Sequence, residues 1–273
     1  GWSLADERTQ RLLEKLKATG VPLGDYVGGK IYYGIKTGLN EAFVIDEATR
    51  ARLIAEDARS AELIKPFLAG RDIKRYEQPR SDKYLIFTRH GLNIDDYPAI
   101  KQYLIPFRER LTPKPENWAG KEWKGRKHGA YTWYEIQDAI DYYEEFDKPK
   151  IMLPDISIRG NFAIDEKGGA YSANTTYIIS SSDKYLLGLL NSSLMDFYYR
   201  NLAAVFRGGY LRFFIQYLIL LPIRTINFSD PADVARHDRM VELVQTMLDL
   251  HRQLSSPGPE HERTLISRRI EAT

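Results

Sequence analysis

The middle of the chain combines a strongly apolar segment with alternating segments that are separated by turn residues. Residues 148–157, "KPKIMLPDIS", have the composition of a buried strand. Residues 160–180, "GNFAIDEKGGAYSANTTYIIS", show alternation on both sides of a turn at Lys167–Gly169, which predicts a hairpin or a meander. Strands joined by short turns pair in the antiparallel direction. The sheet is therefore predicted to be largely antiparallel.

Segments with helical periodicity flank these strands. Residues 184–202 follow a capping Asp183 and keep their leucines on one face, which predicts one long helix packed on the sheet. Further helices are predicted at residues 3–20, 47–57, 60–68 and 95–111, and further strands at residues 21–35, 83–88 and 208–223. The pattern as a whole predicts an α+β fold, in which a mixed, largely antiparallel sheet packs with helices.

Three regions are predicted along the chain. Residues 1–20 are expected to form a helix or linker, with Ser3 and Asp6 at the spacing of a capping box, and residues 21–229 are expected to form the main domain. Residues 230–273 are predicted to be a helical appendage or spacer. The chain begins "GWSLADER", without a methionine, so we expect it to be a piece of a longer protein.

Composition excludes several classes of protein. The 39 basic residues are nearly balanced by 37 acidic ones, so any basic surface must be local. There is no cysteine, which excludes disulfides and thiolate metal sites and is typical of an intracellular protein. The longest apolar segment, residues 213–223, is well short of the roughly 20 residues needed to span a bilayer. A cytoplasmic protein without a membrane partner is expected.

Known catalytic motifs are incomplete in this sequence. Gly24, Gly29 and Lys30 match most of a phosphate-binding loop, but Ile31 stands where a serine or threonine hydroxyl must bind magnesium. The five histidines form no pair at metal-ligand spacing, so no metal site is expected. We therefore predict neither a catalytic site nor a cofactor in this chain.

Two alternative functions remain open at this stage. Asp155, Asp165 and Lys167 imitate the carboxylates and lysine of a magnesium-dependent nuclease, although the composition of "DEKGG" favours an exposed, solvated turn. The apolar seam from Met240 to Leu254 would suit a protein-interaction module with coiled-coil terminal helices.

A basic aromatic loop and three polar turns are the best candidates for a binding surface. Residues 114–134 interleave lysine and arginine with tryptophan and tyrosine, a combination that suits DNA, although the same rings could simply hold a solvated loop against the core. The turns "GRDIKRY", "SIRGNF" and "FRGGYLRF" place arginine or asparagine beside glycine. Arginine and asparagine are the side chains that recognise guanine and adenine edges.

The order of the motifs resembles the TaqI-like C-terminal specificity domain over roughly residues 21–225. The series is "GIKTGLNEAFVID", "ELIKPFLAGRDIKRY", "YTWYEI", "KPKIMLPDIS…NFAID", "YLLGLLNSSLMDFYY" and "LILLPI". This is the target recognition domain of type IIG restriction-modification enzymes and adenine-specific DNA methyltransferases. The resemblance implies sequence-specific binding of duplex DNA by residues 21–229.

The resemblance also implies a larger protein around this chain. A covalently attached N-terminal domain would methylate adenine with S-adenosylmethionine, and a nuclease domain that uses magnesium accompanies it in some members. Residues 230–273 would correspond to spacer helices. The expected setting is the cytoplasm of a bacterium or an archaeon.

Candidate residues follow from residue type and position. Because a signature shared by proteins that recognise different sequences is more plausibly structural, Gly34 and Gly38 are predicted to shape a turn. Candidates for base contacts are Arg126, His128, Arg159, Asn161, Arg207, Tyr210 and Arg212. Candidates for phosphate contacts are Lys36, Thr37, Arg71, Lys74, Arg75, Lys121, Lys124 and Lys127.

Overall fold

The computed structural model describes residues 7–273, except the side chain of Arg207. In this part of the chain the α-helices are α1 (Glu7–Thr19), α2 (Leu23–Tyr26), α3 (Asn40–Phe43), α4 (Glu47–Glu56), α5 (Ser60–Leu63), α6 (Pro98–Leu104), α7 (Arg108–Leu111), α8 (Lys184–Leu190), α9 (Ser193–Leu202), α10 (Ile215–Leu218), α11 (Pro231–Leu254) and α12 (Glu260–Ala272). The predicted cap at Ser3 and Asp6 lies outside the described residues. The helix predicted from residue 47 is confirmed, and Asp46 caps it, because its carboxylate accepts a hydrogen bond from the Thr49 amide at 2.9 Å.

Four sheets contain the strands. They are β1 (Val21–Pro22), β2 (Ile31–Tyr33), β3 (Val44–Asp46), β4 (Ile64–Leu68), β5 (Lys83–Ile86), β6 (Lys150–Pro154), β7 (Ile156–Ser157), β8 (Ala163–Asp165), β9 (Tyr171–Ser172), β10 (Thr176–Ile179), β11 (Leu211–Arg212) and β12 (Pro222–Ile223). The sheet orders are β2-β10-β6-β8, β3-β5-β4-β9, β1-β12 and β7-β11. Every ladder between these strands is antiparallel except β4 with β9, which confirms the predicted α+β class.

The sheet containing β6 separates two hydrophobic clusters. Successive side chains of a strand point to opposite faces. In β6, Met152 packs into one cluster, while Ile151 and Leu153 pack into the other. The first cluster includes the sheet of β3, β5, β4 and β9 together with α4 and α6; the second includes α8, α9 and part of α11. All five residues of β6 are buried, as predicted for a buried strand, although the first of them is the charged Lys150.

Several predicted elements are wrong in detail. The hairpin around Lys167–Gly169 does not form, because β8 pairs with β6 while β9 pairs with β4 in another sheet. Residues 60–68 contain a single helical turn and then β4, and residues 208–223 contain α10 between β11 and β12. The long helix predicted at 184–202 is broken at Asn191, whose side chain exchanges hydrogen bonds of 2.9 and 3.1 Å with the Phe162 backbone.

The first C-terminal helix is packed against the domain. Gly188 of α8 lies against α11, since a Cβ atom at this position would be 2.7 Å from the sulfur of Met240. Val244 and Leu248 of α11 belong to the second cluster, whereas α12 has no buried residue. The domain limits at residues 20 and 229 stay a prediction. No helix within residues 7–273 has the length and apolar character required to cross a membrane.

Candidate nucleic-acid interface

Two turns bring together five of the predicted contact residues. Arg71, Lys74 and Arg75 follow β4, while Arg159 and Asn161 follow β7. Cavities of about 590, 560 and 260 Å³ adjoin one another here, because Lys74 and Asn161 line both larger ones and Arg75 and Arg159 line both the largest and the smallest. We call this region the basic cleft. These two turns lie more than 80 residues apart in the sequence, so their proximity is a product of the fold.

The turn after β4 has an unusual backbone conformation. Tyr76 has φ of 59° although it is not a glycine, a conformation that residues with bulky side chains rarely adopt. Burial of the ring and a 3.3 Å hydrogen bond from its amide to the Phe162 carbonyl hold it there. The Arg75 guanidinium lies 5.1 Å from the centre of this ring, and its Nε is buried without a hydrogen-bond partner among the described residues. Strained residues of this kind concentrate at functional sites.

Acidic groups also line the basic cleft. Glu77 and Glu271 line the largest cavity, and Asp155 lines the second. Burial raises the pKa of Asp155, while attraction to Arg212 opposes this shift. A purely cationic cleft would bind phosphates without discrimination, whereas neighbouring donors and acceptors can match the edges of base pairs. The chemistry of the basic cleft therefore suits base recognition as well as phosphate binding.

The C-terminal helices form one wall of this cleft. Met247 and His251 of α11 line the largest cavity together with Ile270 and Glu271 of α12. The imidazole of His251 lies 4.0 Å from Glu77, and burial lowers its pKa. The sequence did not point to these residues as part of a binding cleft, because their position depends on how α11 packs against α8.

Two further candidates lie at the two-stranded sheet of β7 and β11 beside the cleft, Arg212 within β11 and Tyr210 directly before it. Arg212 is opposite Ile156 in the ladder, and Ile156 lines the second cavity. The Tyr210 side chain is 44% exposed. The side chain of Arg207 lies outside the described part of the chain. Base contacts by these residues stay predictions.

The prediction that Arg126 contacts a base is corrected by the structure. Its side chain is only 4% exposed, and every one of its five N–H groups donates to a backbone carbonyl. The acceptors are Leu111 at 2.7 Å, Thr37 at 2.9 Å, Glu135 at 2.7 Å, Thr132 at 3.1 Å and Trp133 at 3.2 Å. Burial lowers the pKa of Arg126 to about 10, with Tyr131 and Glu135 opposing the shift. Arg126 therefore ties its loop to the domain and has no donor left for DNA.

The first signature, "GIKTG", contacts the Arg126 side chain through Thr37 and Gly38. Thr37 is 1% exposed and its hydroxyl donates to Asn40 at 2.6 Å, so its predicted phosphate contact is also corrected. Gly38 has φ of +83°, and a Cβ there would lie 2.6 Å from the Arg126 Cδ. At Gly34 a Cβ would lie 1.9 Å from the Ala173 carbonyl oxygen. Both glycines thus permit close backbone approach, while Lys36 is half-buried and its phosphate contact stays a prediction.

The aromatic residues of the 114–134 loop mainly support its structure. Trp123 donates from Nε1 to the Thr112 carbonyl at 3.2 Å and packs against Trp118, with ring centres 4.9 Å apart. Lys121, Lys124 and Lys127 are exposed, and so is His128, whose Nδ1 lies 3.0 Å from the Lys114 carbonyl. Contacts from these four residues to DNA stay predictions. They line none of the cavities of the basic cleft.

The nuclease-like residues do not form one site. Asp165 is buried, not in an exposed turn as expected, and its carboxylate accepts from the Lys150 ammonium at 2.6 Å. Lys150 and Asp165 are partners in the β6–β8 ladder, and Asp155 lies five residues beyond Lys150, on the order of 16 Å along an extended strand. One metal ion cannot bridge that separation. Within residues 7–273 no group of three histidine or acidic residues is placed to hold a metal ion.

Comparisons with known proteins place these features in context. The family model described as "TaqI-like C-terminal specificity domain" matches residues 65–223, more than half of the chain. The type II methyltransferase M.PaeR7I of Pseudomonas aeruginosa is 26% identical over 224 residues, which are 80% of this chain and 36% of that protein. This chain therefore spans about a third of the length of that relative.

Two solved structures are similar to this chain. The type IIG restriction endonuclease BpuSI has a TM-score of 0.51 at 13% identity, covering 87% of this chain and 28% of that one, which is a likeness of fold. The type IIL restriction-modification enzyme MmeI, solved in complex with DNA, has a TM-score of 0.47 at 14% identity, covering 93% of this chain and 36% of that one.

Proposed function

Because the chain belongs to the TaqI-like C-terminal specificity domain family, we propose that it recognises the DNA target sequence of a restriction-modification enzyme. The resemblance inferred from the order of sequence motifs is thereby confirmed, although the first motif, residues 34–46, precedes the matched range. One observation locates the proposed DNA-binding surface. Two turns that lie far apart in the sequence come together at the basic cleft.

The basic cleft has the groups that recognition of duplex DNA requires. The side chain of Arg71 is 85% exposed and that of Lys74 is 62% exposed, so both can reach phosphates without a movement of the backbone. Arg159 and Asn161 supply the side chains that form bidentate pairs with guanine and adenine in the major groove. Glu77 and Asp155 can accept hydrogen bonds from cytosine amino groups.

We propose that the wider protein is a type IIG enzyme that methylates adenine with S-adenosylmethionine. In this proposal an N-terminal domain attached to this chain binds the cofactor and carries out the transfer, while this chain selects the sequence. A nuclease domain that uses magnesium would make the whole protein an endonuclease as well. The similarity to a type II methyltransferase supports this proposal, and a methyltransferase "NPPY" motif in the preceding sequence would test it.

Removing two exposed cations of the cleft should weaken DNA binding. For Arg71→Ala combined with Lys74→Ala we expect weaker binding to all duplexes alike, because phosphate contacts are independent of sequence. The slope of log K against log salt concentration should become shallower by about 0.9 for each phosphate that the variant no longer neutralises. Fluorescence anisotropy with labelled duplexes at several salt concentrations measures both quantities.

The matched control exchanges two exposed cations outside the cleft. The side chains of Arg11 and Arg239 are 75% and 64% exposed, and neither residue lines a cavity of the basic cleft. Arg11→Ala with Arg239→Ala removes the same charge, and we expect the salt slope to be unchanged. Equal effects from the two pairs would show that only overall charge matters and would contradict the assignment of the cleft.

A further inference from the structure

An exposed apolar face lies beside the basic cleft. Ile156 and Ile158 are 50% and 57% exposed, and Phe206 and Tyr210 are 50% and 44% exposed. Single exposed apolar residues need no explanation, but a group of large ones on one surface marks a contact site. Neither isoleucine belongs to the candidate contact residues derived from the sequence.

Backbone pairing places these residues on one side of a small ribbon. In the β7–β11 ladder Ile156 is opposite Arg212 and Ser157 is opposite Leu211. Ser157 and Leu211 are buried, while Ile156, Ile158 and Arg212 are exposed, as the alternation of a strand requires. A third segment adjoins the ribbon, because the Phe206 amide donates to the Tyr210 carbonyl at 2.8 Å. We call residues 155–158, 205–206 and 210–212 the exposed ribbon.

The charged residues at the exposed ribbon favour an anionic partner, because Arg159 and Arg212 outnumber the one acidic residue, Asp155. Arg212 stands on the apolar face itself, and Arg159 follows Ile158 directly. Ile156 also lines a cavity of the basic cleft together with Arg71 and Asn161. An apolar face bordered by arginines on this side of the domain is complementary to a DNA groove, whose walls are phosphates and whose floor includes some apolar groups.

We propose that the exposed ribbon enters the major groove and that Ile156 and Ile158 contact thymine 5-methyl groups of the target. The inference rests on the proposed DNA-recognition function and adds a specificity determinant to it. The major groove admits a two-stranded ribbon, and the thymine methyl is the apolar group that a base pair presents there. The isoleucines then favour thymine at the contacted positions, while arginines beside them recognise polar edges.

Replacing thymine by deoxyuridine removes that methyl group and little else. The preferred duplex is first selected from a random pool with the 273-residue chain, and each thymine in it is then replaced singly. At one or more positions we expect affinity to fall by about fourfold, the factor that corresponds to one buried methyl group. With Ile156→Ala or Ile158→Ala, this difference between thymine and deoxyuridine should disappear at the contacted position.

The control is Leu265→Ala on α12, where the native side chain is 56% exposed and outside the exposed ribbon. This variant should keep the full preference for thymine. Since all three exchanges are at exposed positions, circular dichroism should show the same folded protein for each.

Different failures have different meanings. Steep salt-dependent binding to a preferred duplex in which no thymine is sensitive to deoxyuridine, or which lacks thymine, would overturn the inference and leave the proposed function intact. Isoleucine variants that bind DNA normally but change the sedimentation of the chain would identify a protein interface and overturn the inference too. No binding to any duplex at low salt would overturn both.

Discussion

Replacing Arg126 by methionine is expected to lower the free energy of unfolding by about 3–5 kcal/mol, because several buried carbonyls lose a charged donor and each unsatisfied buried group costs about 1–3 kcal/mol. The five carbonyls that accept from this guanidinium come from three separate segments, around residues 37, 111 and 132–135. Methionine fills a similar volume but donates no hydrogen bond. Buried carbonyls would be left unsatisfied, and each costs free energy.

Urea unfolding followed by tryptophan fluorescence measures this loss. The matched control is Lys124→Met in the same loop, where the side chain is 81% exposed and pairs with the exposed Glu109, so the expected change is below about 1 kcal/mol. Arg126→Lys should recover only part of the stability, because an ammonium has three donors and no planar fork. An Arg126→Met protein as stable as the Lys124→Met protein would refute the structural role of Arg126.

Replacing Lys150 by methionine should have an effect of comparable size. The ammonium is fully buried and donates to Asp165 and to the Phe146 carbonyl, both at 2.6 Å. Burial lowers the pKa of Lys150, while Asp165 counteracts the shift by favouring the charged form. Without Lys150 the carboxylate keeps, among the described residues, two neutral donors, the amides of Gly168 and Ala170. An uncompensated buried charge of this kind costs about 3–5 kcal/mol of unfolding free energy.

A double-mutant cycle separates the pair from the loss of packing. Asp165→Asn removes the charge and keeps one oxygen, which can accept from one of the two amides, because Gly168 and Ala170 donate to different oxygens of the carboxylate. In combination with Lys150→Met it should therefore recover more than about 1 kcal/mol relative to Lys150→Met alone. Lys148→Met, at a position 56% exposed, serves as the surface control. Additive effects of Lys150→Met and Asp165→Asn would contradict the coupling.

The sequence predicted elements whose signals are local. Asp46 and Asp230 directly precede α4 and α11, and Pro98 is the first residue of α6, so these three helices could be located from the sequence. The pairing of β8 and β9 could not be predicted, because two strands joined by a short turn are normally neighbours in one sheet. Here β6 and β4 supply the partners from distant parts of the chain.

For the candidate binding residues, too, the sequence predicted local features but not contacts between distant parts of the chain. Arg126 and Lys124 look alike in the sequence, yet one is buried and the other is exposed, because the acceptors of Arg126 come mostly from outside its own segment. Arg71 and Asn161 could be proposed individually as contact residues, but their shared cavity depends on strands of two different sheets. The Ile156 side chain was missed because exposure of an apolar residue leaves no mark in the sequence.

The wall that α11 and α12 contribute to the basic cleft bears on how sequence preference could be moved between related enzymes. A transplanted cassette that ended at residue 229 would leave behind Met247, His251 and Glu271, which line the largest cavity. The recipient's equivalents of α11 and α12 would then form one wall of a cleft whose other wall, the turns after β4 and β7, came from a different protein. A cassette that runs through residue 273 keeps both sides of the cleft from one parent, including Thr273, which itself lines the largest cavity.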